Sequence, residues 1–209
     1  MEETSNIVSF DNEPLILVDS DDVVIGFEEK AAAHRGYGVL HRAFSIFLFN
    51  DQGEVLLQQR SSLKPLWPEH WSNTCCSHPR RGESLTQATK RRLKEELNLE
   101  SQLTFLFKFQ YHAMFNDIGS EHELCSVFIG NVTGRPQPDF NPTEIAETTW
   151  VPINTVDVRP RFQSRPHLGR DPLRGGLRRR PQRLGRGLVR QLGRALEARE
   201  IRGRSGLLL

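Results

Sequence analysis

No stretch of this chain approaches the roughly 18 consecutive apolar residues that cross a bilayer, which excludes a membrane-spanning helix at the level of sequence. The opening run Met1-Glu2-Glu3-Thr4 is acidic, whereas a secretory signal is basic and then apolar. Cysteine is scarce, with three residues of which two are adjacent, a poor basis for a disulfide framework. Together these absences point to a cytoplasmic, reducing setting in which thiols stay free.

Lysine is missing altogether from one part of the chain. The 53 residues from Asp157 onward hold 15 arginines, no lysine and 4 acids, a net charge of +11, while the preceding 156 residues carry 13 basic and 22 acidic groups. All three tryptophans and 11 of the 12 phenylalanines also lie before Asp157. The sequence therefore divides into residues 1–156, which can bury a core, and an Arg/Gly/Pro-rich tail, 157–209, that is expected to be disordered for want of apolar surface. Three readings of the tail stay open. A basic arm could contact nucleic acid or an anionic surface, although interleaved aromatics are missing. A weak amphipathic helix could run through Leu184, Leu188, Leu192 and Leu196, opposed by Gly185, Gly187 and Gly193. The exclusion of lysine alongside enriched Arg, Gly, Pro and Leu fits a reading-frame change in GC-rich DNA. Nucleic acid is a partner only through this tail, and the oligomeric state is not legible.

Within residues 1–156 strand-like runs dominate. Pro14 to Asp19 and Val23 to Gly26 flank an acidic turn, and Phe44 to Phe49 and Val55 to Arg60 flank Asn50-Asp51-Gln52-Gly53, whose residues tolerate positive φ, so each pair reads as a hairpin. Further strands are expected at Leu103 to Tyr111, Leu124 to Val132 and Thr148 to Val151. One helix is expected from Ser84, a good N-cap, to Leu97, with Leu85, Ala88, Leu93 and Leu97 on its apolar face.

Residues able to bind divalent metals and move protons cluster in short segments. Cys76 and His78 stand in Asn73-Thr74-Cys75-Cys76-Ser77-His78-Pro79, Glu95 and Glu96 on the helix, and Glu121 and Glu123 in Glu121-His122-Glu123. Each alone reads as a core thiol, a satisfied histidine or a solvated acid. Glu121 and Glu123 share one face of a strand because side chains alternate with period two.

Glu83, Arg91, Leu93, Glu95, Glu96 and Leu99 resemble the Nudix signature, whose acids hold the magnesium that neutralises a diphosphate. Ser77 and Asn98 stand where that signature has glycine, and Arg92 where it has a glutamate. A cation at that point repels a catalytic metal and weakens a hydrolytic reading. With His34 and His41, the Cys76/His78 run and Glu121-His122-Glu123-Leu124-Cys125 added, residues 12 to 155 resemble type 1 isopentenyl diphosphate isomerases.

That resemblance implies an α/β (α+β) Nudix-like mixed β-sheet flanked by helices, and interconversion of isopentenyl and dimethylallyl diphosphates. It implies a metal site of His34, His41, His78, Glu121 and Glu123 for Mn²⁺, Zn²⁺ or Mg²⁺. It further implies proton transfer by Cys76 and Glu123, diphosphate contacts from Lys30, Arg60 and Lys64, and a second, diphosphate-bridging Mg²⁺ on Glu96. The family's carboxy-terminal Trp has no counterpart, since no Trp follows Trp150, so a chain of this kind is also expected to turn over poorly. A Nudix hydrolase of a nucleoside diphosphate derivative is the competing enzymatic reading, and a metal-binding scaffold with a basic tail the non-enzymatic one.

Overall fold

The computed structural model describes residues 7–153; the expectations for the tail from Asp157 onward fall outside the described residues. Nine strands form a single sheet: β1 (Pro14–Val18), β2 (Val24–Glu29), β3 (His41–Phe49), β4 (Glu54–Arg60), β5 (Trp71–Ser72), β6 (Cys75–Ser77), β7 (Thr104–Phe115), β8 (Gly119–Asn131) and β9 (Ile145–Pro152). Two helices, α1 (Lys30–Ala33) and α2 (Leu85–Leu97), complete the described elements. None is long and apolar enough to cross a membrane.

Strand β3 organises the sheet. One edge pairs in parallel with β8 over its whole length, from His41↔Glu123 to Phe49↔Asn131. The other edge is shared in turn by β1 at His41, β6 at Phe44 to Ile46 and β4 at Phe49. The expected hairpin of β3 and β4 therefore keeps one register pair, Phe49↔Val55, because the short β6 occupies the edge that β4 would need. The turn between them forms as expected: the Asn50 carboxamide oxygen accepts from the N–H groups of Gln52 and Glu54, and Gly53 adopts φ 75°.

Alternation along β3 decides where the core lies. Phe44, Ile46 and Leu48 are fully buried and meet Ala88, Leu93 and Leu97 of α2, together with Leu56, Cys75, Phe128 and Ile145. Each fully buried leucine stabilises the fold by roughly 2 kcal/mol. Helix α2 starts where Ser84 predicts, through a capping box in which the Ser84 hydroxyl accepts from the Gln87 N–H and the Gln87 side chain accepts from the Ser84 N–H. It ends at Asn98 in the left-handed region, φ 50°, a conformation asparagine tolerates. With α2 covering one face, His41, Ala43 and Ser45 are turned to the other.

Candidate active site

Strand register gathers the site on that second face. In parallel pairing with β3, Glu123 lies beside His41 and Cys125 beside Ala43; in antiparallel pairing, Cys76 of β6 lies beside Ser45. On the far side of β8, Tyr111 of β7 is opposite Glu123. Paired residues point to the same side of a sheet, so these groups converge while their neighbours do not. Cys75 illustrates the rule: paired with Ile46, it is fully buried in the core cluster under α2, and of the adjacent pair it is Cys76 that faces the site.

His34 caps the C-terminus of α1, and His78 follows β6. One ligand atom from each of His34, His41, His78 and Glu123 lies within 4.8 Å of every other. His41 Nε2 is 3.2 Å from His78 Nε2 and 3.9 Å from Glu123 Oε1, and His78 Nε2 is 3.2 Å from the same oxygen. The Nδ1 of His41 bonds the Val39 carbonyl at 2.7 Å, and that of His34 the Lys30 carbonyl at 2.8 Å. A carbonyl accepts only, so both rings donate from Nδ1, which leaves Nε2 as the nitrogen to ligate. Burial pushes His41 and His78 down, and the neighbouring imidazoles act in the same direction, so both are neutral, the form that ligates. Converging lone pairs around one carboxylate repel unless a cation stands between them, so a divalent metal fits this donor set.

Glu121 lies outside this four-residue group. The Tyr111 hydroxyl links it in, 2.9 Å from Glu121 Oε2 and 2.7 Å from Glu123 Oε2. Burial pushes both carboxyl groups up, and the Tyr111 hydrogen bond and nearby cations oppose it. Neither the role nor the position of Tyr111 was legible beforehand. The alternation Phe107, Phe109, Tyr111 hinted at a common face, and only the β7–β8 pairing shows which acids that face meets.

Cys76 donates its S–H to Asn73 Oδ1 at 2.7 Å and lies 3.2 Å from Ser45 Oγ. Burial pushes this thiol up to about 12, against the Ser45 hydrogen bond and with the help of the Glu123 and Glu121 charges. It is therefore a protonated thiol at neutral pH, able to give a proton and to take one back.

The basic residues surround the histidines. Lys30, Arg92 and Lys64 each hold the His78 imidazole down by their charge, and Arg60 acts on Glu121 and Glu123. Lys30 Nζ bonds Ser9 Oγ at 2.6 Å, Lys64 Nζ meets Glu144 at 2.6 Å, and the Arg60 guanidinium donates twice to the Leu66 carbonyl. Arg92 and Glu96 are each 2% exposed and pair at 2.6 Å. Arg92 also reaches Glu144 at 3.5 Å and Glu95 at 3.2 Å. Helical periodicity alone did not foresee a buried ion pair on the core side of α2, and Glu96 is brought to Arg92 rather than to the histidine group. Trp67 packs at 5.2 Å from Phe115, in the cluster that Tyr111 joins, whereas Trp71 is exposed. His112 and His122 lie on the opposite face of β7 and β8, where Tyr37 stacks on His112 at 4.0 Å.

The NUDIX domain profile matches residues 39–169. An isopentenyl-diphosphate Delta-isomerase 1 of Photorhabdus laumondii is 43% identical over 146 residues, covering 69% of this chain and 82% of that protein. An isopentenyl-diphosphate Delta-isomerase of Nocardia farcinica is 43% identical over 154 residues, covering 73% and 86%. A solved protein of Deinococcus radiodurans superposes with a TM-score of 0.56 at 27% identity, over 68% of this chain and 85% of that one. With a mixed α+β sheet, a His/Glu cluster suited to a divalent ion and relatives at this identity and coverage, the chain belongs to the isopentenyl-diphosphate Delta-isomerase family of NUDIX domain proteins.

Proposed function

We propose that this chain interconverts isopentenyl and dimethylallyl diphosphates, with Cys76 and Glu123 as its two proton-transfer groups. The observation that carries the reading is that a protonated thiol and a carboxylate on the histidine cluster are presented from strands on either side of β3. Moving the double bond adds a proton to one terminal carbon and removes one from the carbon on the other side of the branch. One of the two groups gives its proton as the other takes one, and the roles exchange in the reverse direction. The cation formed between these steps must be kept from water, and the burial of Glu123, with Cys76 and Tyr111 half-buried beside it, supports that.

His34, His41, His78 and Glu123 hold a divalent ion in this reading, with Glu121 reached through Tyr111, and the choice lies among Mn²⁺, Zn²⁺ and Mg²⁺. The bound ion supplies fixed positive charge that orients the ligands and alters the acidity of Glu123. Lys30, Arg60 and Lys64 bind the diphosphate. Glu96, paired with Arg92 at 2.6 Å, would have to part from that guanidinium to hold a diphosphate-borne Mg²⁺, which would supply charge to neutralise the diphosphate oxygens. The free thiols Cys75, Cys76 and Cys125 suit a cytoplasmic setting. The hydrolase reading is not favoured, because Glu95 and Glu96 are engaged by Arg91 and Arg92.

The full chain incubated with isopentenyl diphosphate and Mg²⁺ is expected to form dimethylallyl diphosphate, slowly because no Trp follows Trp150, and removal of bound metal by a chelator to stop it. Absence of conversion by metal-loaded protein, beside a version ending at residue 156, would overturn the reading.

Lys30 adds a pH dependence. Its amine is pushed down to about 8, first by burial and next by Lys64, so above that pH it stops offering charge to the diphosphate. KM is expected to rise by up to about tenfold as pH climbs from about 7 to about 9, and Lys30→Arg to flatten the profile. Stability runs the other way. Keeping this lysine charged costs stability in full below pH about 8, and the cost is relieved as pH rises towards the ordinary 10.5.

A further inference from the structure

Three groups around Cys76 have donor and acceptor roles that can be worked out one from another. Asn73 Nδ2 donates to the carbonyls of Ile46 at 3.0 Å and Cys75 at 2.9 Å. Those two bonds fix the amide orientation, so Oδ1 faces Ser72 and Cys76 and can only accept. The Cys76 proton is thereby committed to Asn73. At the 3.2 Å contact between Ser45 Oγ and Cys76 Sγ, the hydroxyl must then be the donor. Its single proton is used there, so at the 3.3 Å contact with Cys125 Sγ the Ser45 oxygen must accept. Cys125 is buried beside Ala43.

We propose that Ser45 is a positioning residue for the Cys76 thiol, the middle of a directed chain running from Cys125 S–H to Ser45 O–H to the Cys76 sulfur, whose own S–H points at Asn73. Chains of this kind polarise one another in a buried setting. When Cys76 turns its S–H from Asn73 to a substrate carbon and gives up the proton, the negative sulfur left behind already faces the Ser45 hydroxyl, which keeps its place. After a forward turnover Glu123 releases to solvent the proton it has taken and the sulfur regains one from solvent, so no other reactant is consumed. The two cysteines act through the serine and not through a disulfide. Strands β6 and β8 flank β3, about 10 Å apart at two strand spacings, beyond the roughly 7 Å that a disulfide tolerates between Cα atoms.

This inference rests on the isomerase reading for its consequence in turnover, and on geometry alone for the direction of the bonds, so two readouts separate them. In steady-state kinetics, Ser45→Ala is expected to lower kcat by about tenfold or more, as for a lost bond to a charged group, with KM within about twofold. Ser45→Thr, which restores the hydroxyl, recovers most of kcat, and Cys125→Ala lowers it by a smaller factor. In infrared spectra, the S–H stretching band that Cys125→Ala removes is expected to move to higher frequency in Ser45→Ala, where the thiol has lost its acceptor, and to stay in place in Ser45→Thr. An unmoved Cys125 band, or a folded Ser45→Ala enzyme with unchanged kcat, overturns the proposal. The band shift in Ser45→Ala together with a wild-type chain that shows no turnover sinks the isomerase reading and leaves the bond direction standing. Should Ser45→Ala fail to fold, a Cys125→Ala variant with wild-type kcat and an unaltered Cys76 band overturns the proposal in its place.

Discussion

Replacing Cys76 by alanine is expected to lower conversion of isopentenyl diphosphate by about 1,000-fold or more, in the upper part of the range for a proton-transfer group, while bound metal and melting temperature change little. Cys76 is half-buried on the site face and contributes nothing to the cluster under α2, so the fold does not depend on its sulfur. Cys75→Ala is the informative partner. Its thiol is fully buried among Phe44, Ile46, Leu93 and Leu97, so the loss should appear as about 1 to 2 kcal/mol of stability with kcat retained. Chemical denaturation and product chromatography on both variants separate the two roles. Equal loss of turnover in the two would mean that β6 does not present its thiols as the register with Ser45 and Ile46 shows.

Glu123→Gln carries the second large effect. Glu123 is the carboxylate of the histidine group, 3.2 Å from His78 Nε2, and it accepts the Tyr111 hydroxyl at 2.7 Å. The amide cannot take up a proton and is a poor ligand beside neutral imidazoles, so turnover is expected to fall by at least about 100-fold and metal content, measured by elemental analysis, to fall with it. Tyr111→Phe should separate these effects by retaining metal and losing part of kcat, because the phenol hydrogen-bonds the two carboxylates. Full metal occupancy in Glu123→Gln would show that the three imidazoles hold the ion unaided.

Much of the architecture was legible because it is periodic. The run from Phe44 to Phe49 reads as a strand, and β3 is found there, extended to His41. Ser84 reads as a cap, and it caps. The acids at 121 and 123 read as sharing a face, and β8 places them so. Elements without a period escaped: β5 and β6 span two and three residues, and α1 four. The missed β6 had the largest consequence, because it takes the β3 edge and brings Cys76 to Ser45.

Sequence by itself determined which residues could ligate or transfer protons, that all three tryptophans and 11 of the 12 phenylalanines lie within residues 1–156, and the family to which the motifs belong. Tertiary structure decided which of these residues meet. His41 and Glu123 are 82 positions apart in the chain and side by side in the sheet, a proximity set by the burial of Phe44, Ile46 and Leu48 under α2 rather than by any local preference. Arg92 and Glu96 needed only helical spacing to pair, yet whether they pair in solvent or in the interior depended on what α2 packs against. Alternation states that every second residue shares a face; only the packing of the opposite face against α2 leaves the His41, Ser45 and Cys76 side free to become the site.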